Sequence, residues 1–175
     1  MTDNERYSVQ KLMQIAAVIR DDSKVKSIKQ EFLNGFQVDV TKSFNYIIEL
    51  LQTAYNEKNA DDVEYCLFIG FAFDLFTKDF TFILCKLIEV DWHYQHENIA
   101  SILQMLKAPQ SVNSLYHAAL LNLKYLEYTE ASPLAVKCIW ALGEINTDEA
   151  KEKIKLLAKS NNEIIRANAI KQLEK

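Results

Sequence analysis

The sequence predicts an all-α fold, an antiparallel stack of about nine helices paired as hairpins. Three observations carry this. The 175 residues include only 3 Gly and 2 Pro, too few for sandwiches, barrels or doubly wound sheets, which turn often and use these residues to do it. Apolar residues recur with the helical period from end to end. Residues 132–175 also repeat themselves, Leu134 falling on Ile165 and Leu142 on Leu173 at an offset of 31.

In chain order, Thr2 and Glu5 stand at capping-box spacing ahead of a helix whose apolar face is Leu12, Ile15, Ala16 and Ile19. A short helix covers Lys24 to Leu33, with Asn34-Gly35 as its left-handed stop. Phe44, Ile47, Ile48, Leu51, Ala54 and Tyr55 form the cleanest stripe in the chain, and 56–60 is a polar connection. Asp61 is placed to cap the next helix, with Glu64 at the third position. From Val63 to Val90 the chain is apolar almost all round. Length favours two buried helices broken at Thr77-Lys78-Asp79, whereas the β character of Phe80, Thr81, Phe82 and Ile83 makes a hairpin the alternative. Helices follow at 97–107 and 114–128, separated by Pro109. Ser132-Pro133 reads as an N-cap and first helical position. Thr147-Asp148-Glu149 opens another helix with acids at the positive end of its dipole. The run 160–163, Ser-Asn-Asn-Glu, is a capping box for the last. The length fits a single domain, residues 1–175.

Composition narrows the function classes. Hydrophobic residues make up 49% and aromatic residues 11% of the chain, so it is globular rather than disordered. Gly35, Gly70 and Gly143 stand far apart, which leaves no phosphate-cradling loop. A net charge of −4 argues against direct nucleic-acid binding, since phosphate neutralisation needs a basic surface. Cys66, Cys85 and Cys138 are odd in number and set among apolar neighbours, as small buried hydrophobes in a reducing compartment are. The acidic start, Met1 to Glu5, has no signal-peptide pattern. The longest apolar stretch, Tyr65 to Phe73, falls well short of the about 20 residues a membrane span needs. A cytoplasmic protein with no membrane partner is the expectation.

The repeat consists of LAVKCIWALGEIN, a short loop before Asp148, and EIIRANAIKQL. Between the copies lies one helix with Ile154, Leu157 and Ala158, so each unit is a helix pair whose apolar face is completed by its neighbour. This segment resembles the HEAT-like repeats of the phycobilin-lyase type, whose second helix runs apolar-basic-x-x-Ala-x-x-x-Leu, as Ile165, Arg166, Ala169 and Leu173 do. The resemblance covers about a quarter of the chain and implies a curved, HEAT-like α-solenoid with a protein-binding surface.

Charge is distributed unevenly. Residues 1–60 are neutral, residues 61–131 carry −6, and residues 132–175 carry +2. The middle section also holds 12 of the 19 aromatic residues. Acid with Tyr and Trp suits a surface that meets a basic protein, because aromatics anchor interfaces and opposite charge steers encounter. The candidate partner-binding residues are Asp61, Asp62, Glu64, Asp91, Trp92, His93, Tyr94, His96, Glu97 and Tyr128.

Sharper chemistry finds less support. His93 and His96, three apart with Asp91 and Glu97 beside them, lack a further ligand at matching spacing, and Cys85 and His117 pair with nothing recognisable. No metal or cofactor is assigned. No nucleophile elbow or HExxH frames the histidines and cysteines, so no catalytic residue is assigned and the chain is read as a non-enzyme. The Phe-rich segment, Phe68, Phe71, Phe73, Phe76, Phe80 and Phe82, is read as core rather than as a pigment or lipid pocket. The expected function is a protein-binding module. Its concrete form is an immunity-type inhibitor that occludes a cognate bacterial toxin, a basic nuclease domain for instance. The alternatives are a HEAT-like lyase or cofactor-handling protein, and a generic adaptor or scaffold domain.

Overall fold

The computed structural model describes residues 1–16, 22–126 and 132–175. Within these lie ten α-helices and three short 3-10 turns, with no strand. The fold is all-α, as the composition predicts. The described chain divides into two compact units, Met1–Leu75 and Phe76–Lys175.

The first unit contains α1 (Asp3–Ala16), α2 (Asp22–Gly35), α3 (Asn45–Glu57) and α4 (Ala60–Phe73). α1 packs on α2 and α4, and α3 packs on α4. The capping box at the start of α1 forms as read: the Glu5 N–H donates to Thr2 Oγ1 at 3.3 Å, and the Thr2 N–H donates to Glu5 Oε2 at 2.8 Å. Ile19, expected on the same face, lies outside the described residues. Val9, Leu12, Phe32, Ile47, Leu51, Val63, Cys66 and Ile69 make the core, and the Phe32 ring stacks on Phe73 at 5.4 Å. α4 starts two positions earlier than the sequence reading. Its cap is Asn59, whose side chain accepts from the Asp62 N–H at 3.0 Å, so Asp61 lies in the first turn instead of capping it.

Four of the described helices stop in the left-handed region without glycine. Lys58, Asp74, Lys107 and Asn146 close α3, α4, α6 (His96–Leu106) and α8 (Pro133–Ile145) with φ of 53°, 54°, 48° and 54°. No glycine has positive φ, and Gly35 is the last helical residue of α2 rather than a left-handed stop. Each of these side chains pays the αL penalty of roughly 1–2 kcal/mol, which glycine would relieve, its own greater unfolded entropy cancelling part of the gain. Lys58→Gly is therefore expected to raise the unfolding free energy by about 0.5–1 kcal/mol, read from urea midpoints.

The second unit opens with a 3-10 turn, Lys78–Phe80, followed by α5 (Thr81–Ile88) and α6. The apolar run 63–90 thus forms two helices, α4 and α5, rather than a hairpin. Its phenylalanines are not all core: Phe80 is fully buried, whereas Phe71 is 51% and Phe82 70% exposed. A run that is apolar all round hides which side of each helix faces out.

A second 3-10 turn, Pro109–Ser111, leads into α7 (Val112–Ala118). The helix expected over 114–128 ends ten residues early, and 127–131 lie outside the described residues. After Ala118 the chain tightens into i→i+3 bonds, Leu120 N–H to His117 O and Leu121 N–H to Ala118 O. A third 3-10 turn, Lys124–Leu126, then brings Tyr125 to His96. Burial of Leu123 and the Tyr125 bond override the strong helix propensity of this Leu-rich segment.

α8, α9 (Asp148–Leu157) and α10 (Glu163–Leu173) form the repeat. Pro133 occupies the first turn of α8, but Ser132 is left-handed and makes no side-chain cap. Thr147 caps α9 through the Ala150 N–H. The last cap is Asn162, accepting from Ile164 and Ile165, rather than Ser160. The matched pairs Leu134/Ile165 and Cys138/Ala169 are buried in both copies. Ile139 and Leu142 are buried where Ile170 and Leu173 are 43% and 40% exposed. α8 is packed by α6, α7, α9 and α10, while α10 rests on α8 and α9. At Gly143 the Gln172 side chain of α10 lies over α8 in the space that a Cβ would fill.

Candidate functional site

The densest cluster of chemistry-bearing side chains lies in the connection from α5 to α6, residues 89–95, and the first turn of α6. Trp92 stands edge-on to the His93 ring at 5.2 Å. The His93 and His96 rings stack with centroids 4.3 Å apart and planes at 25°. Tyr125 lies 5.7 Å from His96, and Tyr94 meets Tyr125 edge-on at 5.2 Å. Tyr94 itself is 69% exposed.

His93 and His96 are fully buried, which corrects their reading as surface residues. All four ring nitrogens have partners. His93 Nε2 lies 2.8 Å from the Leu87 carbonyl, and its Nδ1 accepts from the Gln95 N–H at 3.1 Å. His96 Nε2 lies 2.5 Å from the Val90 carbonyl, and its Nδ1 is 2.9 Å from the Tyr125 hydroxyl. Burial pushes the His93 imidazole down to about 4, with the His96 ring adding to the effect and the Leu87 carbonyl opposing it. Burial also holds His96 below its ordinary value against the Val90 carbonyl and Asp91. With every nitrogen engaged, the pair has no lone pair directed at a metal. Among the described residues no three His, Cys, Asp or Glu side chains gather as ligands.

The remaining expected residues divide by place. Asp91 is exposed and Trp92 partly so. Glu97 lies 3.5 Å from Lys137 of α8. Asp61 and Glu64 are exposed on α4, in the first unit. Asp62 is buried rather than on the surface, because it is the hub of an ion cluster: Arg6 Nε donates to it at 2.7 Å, Arg6 Nη2 at 2.9 Å, and the Met1 ammonium at 3.0 Å. Burial raises its carboxyl, but Arg6 and the ammonium outweigh that and hold it below the usual carboxylate range. Beside it, buried Glu5 accepts from the Tyr46 hydroxyl at 2.8 Å. Burial and that bond push the phenol up to about 12. Tyr128 lies outside the described residues.

Sequence reasoning missed the pairings of Tyr125 with His96, Arg6 with Asp62 and Tyr46 with Glu5, which span 29 to 56 positions. Nothing local in the sequence marks such pairs. The cysteines are free, Cys66 and Cys138 buried and Cys85 half-buried, and burial raises all three thiols above their ordinary value. His117 is exposed and 3.8 Å from Glu89. No helix among the described residues is long and apolar enough to cross a membrane. No family model, curated protein or solved structure matches the chain.

Proposed function

We propose that the chain is a non-enzymatic protein-binding module that engages its partner through the 89–95 loop. One observation carries the reading: Tyr94 is exposed on a loop held from beneath by the buried, stacked His93 and His96 rings and the half-buried Tyr125 bonded to His96. Interface anchors have this anatomy. A large amphipathic side chain is held rigid before binding, so little entropy is lost when it docks. Asp91 and Glu89 are exposed on the same loop and favour a partner with a basic surface. An immunity-type protein that occludes a cationic toxin surface, such as a nuclease groove, is the concrete form of this proposal. A HEAT-like scaffold for that surface stands with it as a proposal, on the strength of the α8–α10 repeat.

The test is capture of a stoichiometric partner by the intact chain, followed by Tyr94→Ala and Asp91→Lys variants measured against the purified partner. Tyr94→Ala is expected to weaken binding at least about 30-fold, the effect of a hot-spot residue. Asp91→Lys is expected to slow association and reduce its salt dependence. Full affinity in the Tyr94→Ala variant would move the interface off this loop.

A further inference from the structure

We propose that the 89–95 loop is an acid-released latch: His93 and His96 hold Tyr94 in its surface position only while His93 is neutral. This deepens the reading above as regulation of the same loop. It rests on that reading only in making Tyr94 the group displayed.

The argument is one of hydrogen-bond polarity. A backbone carbonyl can only accept, so the Leu87 and Val90 oxygens require a proton on Nε2 of His93 and of His96. A backbone N–H can only donate, so the Gln95 N–H, 3.1 Å away, requires His93 Nδ1 to be bare. His93 is thereby fixed as one neutral tautomer. His96 is less constrained, because the Tyr125 hydroxyl opposite its Nδ1 can turn to donate or to accept.

A proton added to His93 Nδ1 would point at the Gln95 N–H, and that bond must break. Gln95 is the residue from which α6 starts, and its carbonyl accepts from the Ile99 N–H. Release there frees the segment that carries Tyr94. The stacked geometry sharpens the response. Two imidazolium rings 4.3 Å apart repel, so a proton taken first by His96 makes opening the route by which His93 acquires its own.

The surrounding charges do not cancel this response. Asp91 on the loop favours the charged form of His96. Glu89 is 3.8 Å from His117 of α7, and Glu97 of α6 is 3.5 Å from Lys137 of α8. Lys86 of α5 lies 4.5 Å over the Phe82 ring, and Lys124 is exposed on the 124–126 turn. An imidazole held near 4 in the latched loop and at 6.5 when released makes opening roughly 300-fold more favourable below pH 4 than above pH 7.

The two tryptophans are Trp92 and Trp140, so Trp140→Phe leaves Trp92, 5.2 Å from His93, as the sole indole reporter. Its emission is expected to quench and shift to the red between pH 6.5 and 4, with far-ultraviolet circular dichroism still native. His93→Gln offers a non-titrating donor to Leu87 and an acceptor to Gln95, and is expected to abolish the transition. His96→Gln is expected to keep it. An unchanged emission from pH 8 to 4, or the same transition in His93→Gln, overturns the latch. On the unsubstituted chain, long-range proton–nitrogen spectra at pH 7.5 must show His93 as the Nε2–H tautomer; the Nδ1–H form overturns the proposal. These readouts use the free protein, so failure of partner binding at Tyr94 leaves them standing, and the reverse holds equally.

Discussion

Asp62→Ala is expected to destabilise the protein by about 3–5 kcal/mol, the effect of stripping a buried ion cluster of the carboxylate that Arg6 and the Met1 ammonium share. Asp62 is fully buried at the start of α4, and the cations that reach it come from the other end of the unit's sequence, Arg6 and the Met1 ammonium. Removing the carboxylate leaves the Arg6 guanidinium, itself only partly exposed, facing a buried void. Arg6→Met is expected to be costly too, since it leaves the carboxylate short of its strongest donor. Combined with Asp62→Leu it should cost much less than the sum, because an ion pair removed whole leaves no unpaired charge. Urea unfolding of Arg6→Met, Asp62→Leu and the double variant that combines them checks this. Strict additivity would mean that the cluster carries no coupling.

The same residue separates two acid transitions. A carboxyl held below its ordinary value contributes stability that is present above the unfolded pKa and lost as pH falls through the lower folded one. The Asp62 contribution thus disappears below about pH 4. His93 has its pKa lowered in the other charge type. Unfolded protein binds a proton there that the latched loop refuses, so stability declines as pH falls below 6.5 for as long as the loop stays latched. The two limbs lie on opposite sides of pH 4, and Asp62→Asn and His93→Gln should each flatten only its own.

What was legible in the sequence was what depends on neighbours within one helical turn. Thr2 with Glu5, Thr147, and Pro133 at the head of α8 need no distant partner, and they sit as the spacing says. The left-handed stops were hidden, because Lys58, Asp74, Lys107 and Asn146 carry no glycine to mark them. The histidine cluster was visible as a cluster, but its burial was not. The run Asp91 to Glu97 looks solvated, and the groups that hold its two histidines are main-chain carbonyls six residues back, which no side-chain pattern records. Asp61 and Asp62 are indistinguishable as letters. Helix phase, set by the cap at Asn59, turns one outward and the other onto Arg6.

Phase also decides the other large effect. Phe80→Ala is expected to cost about 3–5 kcal/mol, the lost transfer of a buried ring together with the cavity it leaves. Phe80 is fully buried and meets Phe76 edge-on at 5.3 Å. Phe80→Leu, which refills most of the volume, should recover more than half of that loss. Phe82→Ala, two positions on, is expected to cost less than about 1 kcal/mol: its ring is 70% exposed and its visible partner is Lys86 at 4.5 Å. The contrast tests the secondary structure of the run as well as its packing. On a strand, residues 80 and 82 point to the same face and should respond alike. On a helix they are roughly 200° apart, so one lies in the core while the other meets water. Equal costs at the two positions would restore the hairpin reading of 63–90, and a several-fold difference in favour of Phe80 is the signature of the two-helix arrangement.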